Sequence, residues 1–401
     1  MPLNTVLFLT LINTLNYLDR YILAAVLTSV SADLSLTQAQ AGWLMSAFVP
    51  GYIIFSPIFG YLGDRFNRPK LMALGVAIWS VATLLSAYAH SFELFLFSRV
   101  LVGIGEASFA SIAPGLIKDR TQDPIKVNSL LSLFFAAIPV GAALGFVLGG
   151  VVSENWGWHR AFILGGVPGL LLAPFLLLLA EKRPALRQDE SHDTGLISGY
   201  KEITKVNILW YAIGGYVFQA MALNGVASFV SAYGIKIGFS ESAIGTYFGI
   251  ILVVSGFAGT FFGGRMASRL AAKSGKAIPS MLTFVGLTAF LAVPFLASAF
   301  FFREHTSFLI FCFIAELLVF AGTSPVNSVI VLASPKLHVA LTQGVTILAL
   351  NLLGALPVSP MVGNLADRYG IESAMRLLWL PLFMAAIIWT LGARKSRLTS
   401  P

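Results

Sequence analysis

Charge is scarce in this chain of 401 residues: 26 lysines and arginines and 18 acids make up 11% of it, against 57% hydrophobic residues. Soluble domains carry roughly 25% charged residues, so a water-soluble fold of this length would lack the surface charge to stay in solution. Cysteine is almost absent. Cys312 stands alone in an apolar run, which excludes a disulfide framework or a thiolate metal site. No histidine lies inside a long apolar run: His90, His159, His305 and His338 sit at run edges and His192 in the longest polar stretch. That argues against a membrane enzyme, and no metal and no cofactor are expected. No Gly-rich loop ends in Lys-Ser/Thr, which excludes ATP-driven pumping, and no large soluble domain is present for a receptor to signal through. The loops are short and contain no Asn-x-Ser/Thr sequon. The first apolar segment has no basic leader and carries Asp19 and Arg20 inside it, so no cleavable signal peptide is expected and any N-terminal arm is short or missing.

What the chain has instead is long apolar runs, each near the ~20 residues a bilayer crossing needs. Hydropathy predicts twelve spans: Asn4–Ala32, Gln40–Leu62, Lys70–Ala89, Phe92–Ile117, Val127–Val152, Arg160–Ala180, Val206–Tyr233, Ser242–Gly264, Ile278–Phe301, Ser307–Ala333, Val339–Leu365 and Ser373–Ala393. The polar stretch Glu181–Lys205 divides them. The expected fold is therefore an all-α membrane protein of twelve transmembrane helices, with one six-helix bundle in residues 1–180, a cytoplasmic linker in 181–205 and a second bundle in 206–401. The bases fall mainly on one side. Arg65, Arg68, Lys70, Lys118, Arg120, Lys126, Lys182, Arg183, Arg187, Lys201, Lys205, Arg265, Arg269, Lys273, Lys276, Lys336 and the cluster Arg394, Lys395, Arg397 share it, whereas the other side holds Arg160, Lys236, Arg303, Arg368 and Arg376. Positive charge stays inside, so both termini are expected to be cytoplasmic. The net charge of +8 then answers anionic lipid headgroups and not nucleic acid.

Spans two, five, eight and eleven all end in Gly-rich text, namely Gly60-Tyr-Leu-Gly-Asp, Gly149-Gly150-Val-Val-Ser, Gly263-Gly264-Arg-Met-Ala and Gly363-Asn-Leu-Ala-Asp. Recurrence at every third span predicts nested three-helix repeats, neighbouring copies inverted, giving two pseudo-symmetric halves. Gly141, Gly145 and Gly149, four residues apart, predict a helix face that another backbone approaches closely.

Charges inside spans are the informative exceptions, each costing about 2.5–3.5 kcal/mol at the bilayer centre. Span one carries Asp19 and Arg20, span four Arg99 and Glu106, and span ten Glu316. At 100° per residue, Asn13, Asn16, Tyr17 and Arg20 share one face, as do Arg99, Gly103 and Glu106. One reading is that the four charges of spans one and four neutralise one another and lock the first half. The other is functional: Arg20 binds an anionic headgroup, because a guanidinium forks onto phosphate and keeps its charge, while Asp19 and Glu106, with Arg99, form a network whose acids change protonation as the base switches partner. Glu316 shares a face with Phe320, Thr323 and Asn327. It either joins a binding site or sits protonated against a neighbour. Gln219 and Asn224 on span seven are further polar candidates.

Three motifs carry a family resemblance. Gly60-Tyr61-Leu62-Gly63-Asp64-Arg65-Phe66-Asn67-Arg68-Pro69-Lys70 resembles the signature loop between the second and third helices of the major facilitator superfamily, G-x-L-x-D-R-x-x-R-x-K, with a near copy from Gly363 to Gly370. Asn16-Tyr17-Leu18-Asp19-Arg20-Tyr21 with Ser31-Ala32-Asp33-Leu34-Ser35-Leu36, and Arg99-Val100-Leu101-Val102-Gly103-Ile104-Gly105-Glu106-Ala107 with Ala113-Pro114 and Ile117-Lys118-Asp119, resemble the first and fourth helices of its spinster-like branch. The likeness runs on through Trp156-Gly157-Trp158-His159-Arg160. The resemblance implies that spans one, four, seven and ten line a central site, and that the protein, a monomer in the lipid bilayer, moves a lysophospholipid or a sphingosine 1-phosphate type of amphiphile, with proton coupling as one option. Asn16, Tyr17, Arg20, Gln219, Glu316 and Asn327 would then contact substrate. Gly60, Asp64, Arg65 and Arg68 would act as a gating latch: Gly60 packs tightly on a partner helix, Asp64 meets the positive end of the eleventh helix, and the arginines pair with acids or helix ends.

Asn67 departs from the family pattern, which has Gly there; Asn tolerates a left-handed backbone. The lack of sequons and tails points to a bacterial member in the inner membrane. The rival expectation is a carrier of small organic anions such as sugar acids, sugar phosphates or organic phosphates, which would need more hydroxyl-binding groups than Gln219, Asn224, Asn327 and Asn351 provide.

Overall fold

A chain whose apolar runs face lipid must satisfy its backbone groups within each run, and helices do that. The computed structural model describes residues 3–121, 130–131, 133–179, 196–335 and 339–399, and every regular element among them is helical. The first part of the chain supplies α1 (Leu3–Asp33), α2 (Gln38–Ser46), α3 (Phe48–Arg65), α4 (Arg68–Ala87), α5 (Phe92–Asp119), α6 (Ala137–Trp156) and α7 (Trp158–Leu176). The second supplies α8 (Leu196–Lys205), α9 (Asn207–Lys236), α10 (Glu241–Ser274), α11 (Ala277–Ala299), α12 (His305–Ala333), α13 (Val339–Ala349), a π-helical turn Leu350–Ala355, α14 (Val358–Tyr369), α15 (Ile371–Arg376) and α16 (Trp379–Thr399).

Among the described residues, eleven segments are long and apolar enough to cross a membrane. The 31-residue α1 makes the twelfth span, its hydropathy lowered by Asn13, Asn16, Asp19 and Arg20. Several spans are built from two pieces. Thr37 and Gln40 form a capping box that starts α2, the helix breaks at Ala47, and α3 completes the crossing. The outward faces are apolar, with Leu171, Phe262 and Leu332 among the exposed side chains. In water such a surface would aggregate; in lipid it is the contact surface.

Two compact units emerge: Met1–Ser191 with Val230–Ile250, and His192–Phe229 with Ile251–Pro401. In the first, α6 lies along α1. A Cβ on Gly141, Gly145 or Gly149 would stand within 3 Å of Thr14 O, Leu18 O or Ala25 Cβ respectively, so the helices meet backbone to backbone. In the same unit α5 is wedged between α3 and α4. Gly103 lies against the Phe48 carbonyl and Gly105 against Gly75 and Trp79. In the second unit, Gly259 and Gly263 bring α10 onto α12 at Leu317, Phe320 and Ala321 in the same way.

Several sequence expectations are corrected. The charged motif from Gly60 to Lys70 is hardly a loop: α3 runs to Arg65 and α4 starts at Arg68, leaving Phe66 and Asn67 as the turn. Asn67 has φ −65° and ψ 112°, an extended and not a left-handed backbone, and its side chain accepts from the Lys70 N–H as the N-cap of α4. No heavy atom lies within 4 Å of where a Cβ on Gly60 would stand, so tight packing is not its role. Arg68 is buried and its Nε donates to Gly63 O at 3.1 Å, back into its own turn; the Arg65 guanidinium lies 4.2 Å from the Tyr61 ring centre. The Asp64 side chain lies outside the described residues. Arg265, Arg269 and Lys273 belong to α10, whose 34 residues span ~50 Å at 1.5 Å per residue and carry them beyond an apolar layer ~30 Å thick. Of the linker, 181–195 lies outside the described residues, with Lys182, Arg183, Arg187 and His192, and its remainder is the helix α8. Lys126, Lys336, His338 and the Lys118 side chain also fall outside.

The two halves share one backbone device. Gly157 joins α6 to α7 with φ 87° and ψ 150°, and Gly370 joins α14 to α15 with φ 81° and ψ 152°. Both lie at the junction between the fifth and sixth, or eleventh and twelfth, spans, in a region that residues with a Cβ avoid. Beside the first, Trp158 donates its indole N–H to Asp33 Oδ2 at 3.2 Å, tying together the two motifs in which these residues occur. Gly157→Ala and Gly370→Ala should each cost about 1–3 kcal/mol and lower the detergent-solubilised melting temperature. Gly60→Ala should leave it unchanged; equal melting of all three variants and the parent would contradict the strained-junction argument.

Candidate functional site

The first unit brings the charged residues of α1 and α5 face to face as two separate pairs. Arg20 donates Nε to Glu106 Oε2 at 2.6 Å, and its Nη2 lies 2.6 Å from the same oxygen. Arg99 Nη1 lies 3.3 Å from Asp19 Oδ2. These side chains meet because Arg99 and Glu106, seven residues apart, project from one face of α5. The glycines between them, Gly103 and Gly105, take the contacts with α3 and α4. Pairing relieves the desolvation of each charge, since an ion in a low-dielectric interior needs a counter-ion and hydrogen bonds close by.

The pairs differ in what they leave open. Asp19, Arg99 and Glu106 are fully enclosed, whereas the Arg20 side chain is 17% exposed against 2% for Arg99. Both of its contacts with Glu106 use one oxygen, and among the described residues Glu106 Oε1 has no hydrogen-bond partner, nor has Asp19 Oδ1 or Arg99 Nε. Aromatic rings surround the Arg20 guanidinium: Phe48 at 4.6 Å, Tyr17 at 5.1 Å and Tyr52 at 5.1 Å from carbon to ring centre. Each such contact contributes about 0.5–2 kcal/mol depending on desolvation, and together they hold the cation in place. Asn16 is buried one turn before Arg20, and Asn13 donates Nδ2 to Phe134 O at 3.1 Å.

The second unit holds Gln219, Glu316 and Asn327, which the structure divides. Gln219 is buried and donates Nε2 to Val319 O at 3.2 Å and to Thr323 Oγ1 at 3.4 Å. Asn327 donates Nδ2 to the Tyr216 hydroxyl at 3.2 Å and to Thr323 O at 2.8 Å. These amides join α9 to α12. Asn224 and Asn351 bond back to their own helices, at Ala220 O and Ile347 O. Glu316 stands apart, lining a cleft among apolar side chains.

Sequence reading missed two features of the first unit. Phe48 and Tyr52, a turn apart on α3, complete the ring around Arg20; their i, i+4 spacing was visible but their partner was not. At the start of α10, Glu241 accepts from Ser29 Oγ with both oxygens, at 2.8 and 2.9 Å, and Glu154 Oε2 accepts from Ser242 N–H at 2.7 Å. Gly150 and Gly245 let the backbones meet there, at Glu241 O and Phe146 O.

Comparison with known proteins places this geometry. The family model of the Major Facilitator Superfamily matches residues 9–356. "Protein spinster homolog 1" of Xenopus tropicalis is 30% identical over 415 residues, covering 96% of this chain and 78% of the relative. The Arabidopsis thaliana protein called "Probable sphingolipid transporter spinster homolog 1" is 27% identical over 449 residues, with 98% and 88% covered. Among solved structures, a bacterial homologue of the human lysosomal transporter spinster, in an inward-facing and unoccupied conformation, superposes with a TM-score of 0.88 at 23% identity, over all of this chain and 99% of the other. Twelve spans, the paired charges of α1 and α5 and these matches agree: the chain belongs to the major facilitator superfamily of membrane transporters, in its spinster-like branch.

Proposed function

We propose that this transporter moves a lysolipid-like amphiphile, a lysophospholipid or a sphingosine 1-phosphate type of molecule, by alternating access of two six-helix halves, residues 1–180 and 206–401, joined by a cytoplasmic linker. The observation that carries the reading is the partly exposed Arg20: a cation walled by Tyr17, Phe48 and Tyr52 and paired with one oxygen of Glu106. A phosphate-bearing headgroup competes for that guanidinium with charge-assisted bonds of its own. Asn16 and Tyr17 flank it on the same helix. When the headgroup takes Arg20, Glu106 loses its counter-ion in a water-poor site and takes up a proton, which couples flux to protons through Asp19, Arg99 and Glu106.

The apolar composition around the second unit's candidates supports a tail and not a polyol. Gln219 and Asn327 spend their amides on Val319, Thr323 and Tyr216, leaving few hydroxyl-binding groups for a sugar. The relatives' names, one of which refers to sphingolipid transport, point the same way. The excess of lysine and arginine on one side supports cytoplasmic termini, in the inner membrane of a bacterium.

Flux into proteoliposomes, comparing a labelled lysophospholipid with a labelled sugar phosphate, tests the substrate. Lysolipid should move, and Arg20→Ala should slow it roughly 10- to 100-fold, the equivalent of the ~1.5–3 kcal/mol of one hydrogen bond to a charged group. Sugar phosphate moving alone would keep the fold and overturn the substrate; undiminished flux in Arg20→Ala would remove Arg20 from the site. Glu106→Gln cannot exchange a proton and should flatten the dependence of flux on pH, and a profile identical to that of the parent would exclude coupling through Glu106.

A further inference from the structure

The four charges of the first unit answer one another; the acid at the middle of α12 answers nothing. Glu316 is 5% exposed and its Oε2 has no hydrogen-bond partner. It lines a narrow cleft of about 10 Å³ whose other walls are Ala222, Leu223 and Val226 from α9, Leu296 from α11, and Ala315 and Val319 from α12. All six are apolar. Among the described residues no ion pair involves Glu316.

Among the described residues, no charged side chain of the elements packed around it pairs with it. On α9, Gln219 turns its amide to Val319 O and Thr323. On α10, contact with α12 runs through Gly259 and Gly263, and the first cation beyond them, Arg265, lies 3.8 Å from the Phe261 ring centre. The one other titratable group in reach is the buried thiol of Cys312, a turn earlier on α12. A carboxylate against these apolar walls lacks a counter-charge, whereas a neutral carboxyl escapes that penalty.

We propose that the Glu316 cleft is a proton-binding site of the second unit, separate from the Arg20–Glu106 exchange: the carboxyl holds a proton while the walls of α9, α11 and α12 close on it, and releases it when the cleft admits water. Its part in driving flux rests on the transport reading above; the protonation itself does not.

Dicyclohexylcarbodiimide tests the site directly, because this apolar reagent adds to protonated carboxyl groups and spares carboxylates. Mass spectrometry of the purified, reagent-treated full chain should find the adduct on Glu316, declining as the pH is raised, with Asp19 and Glu106 unmodified in the absence of lysolipid and no adduct in Glu316→Gln. An unmodified Glu316, or an adduct on Glu106 or Asp19 in its place, overturns the proposal. Lysolipid flux through Glu316→Gln, which copies the shape of the protonated acid, should lose its response to a pH gradient; a full response in that variant overturns the driving role. If the parent moves no lysolipid at all, the substrate reading fails, and the labelling pattern still decides the protonation site.

Discussion

An ion cannot stand alone in the interior of a membrane protein, and the arrangement of α1 and α5 follows from that constraint. Arg20 must find Glu106, and Arg99 must find Asp19, or each would carry an uncompensated desolvation penalty of several kcal/mol. Satisfying both pairs at once fixes the rotation of the two helices about their axes, because the four residues occupy defined faces. It also creates a difference between otherwise similar pairs. Asp19 and Arg99 are sealed, while Arg20 keeps part of its rim exposed. A structural ion pair and a ligand-accessible one thus sit side by side, seven residues apart on α5.

Bringing charges within 2.6–3.3 Å requires helix backbones that approach closely, and glycine supplies this. Along α1 the approach is made by Gly141, Gly145 and Gly149 of α6; on α5, Gly103 and Gly105 admit α3 and α4. With no hydrophobic force between helices in lipid, such packing and the interhelical hydrogen bonds hold the bundle together. Gly103 and Gly105 thus admit α3 and α4 close beside the charges of Arg99 and Glu106 on α5.

The two halves of the chain use acids differently. In the first unit each of the mid-span acids Asp19 and Glu106 is paired with an arginine. In the second unit the cleft that Glu316 lines is otherwise apolar. The repeat symmetry seen in the matched junctions at Gly157 and Gly370 therefore does not extend to the polar sites. Pseudo-symmetric backbones here support unlike chemistry.

Length and hydropathy alone determined the helical class, the number of spans and the residues that had to be explained, since a charge in a ~20-residue apolar run is costly wherever it stands. The faces of α1 and α5 were legible too, because helical periodicity is a local property. Partnership was not. Nothing in the sequence says that Arg20 takes Glu106 and not Asp19, that Phe48 and Tyr52 close around it, or that Gln219 and Asn327 bind their neighbours; these depend on which helices adjoin and how each is rotated. The turn after α3 shows the same limit at short range. Asn67 suggested a left-handed backbone by residue type, yet the demand of α4 for an N-cap put it in an extended one. Local propensity selected the helices, and only the tertiary structure, by forcing each buried polar group to find a partner, decided which of them face a ligand.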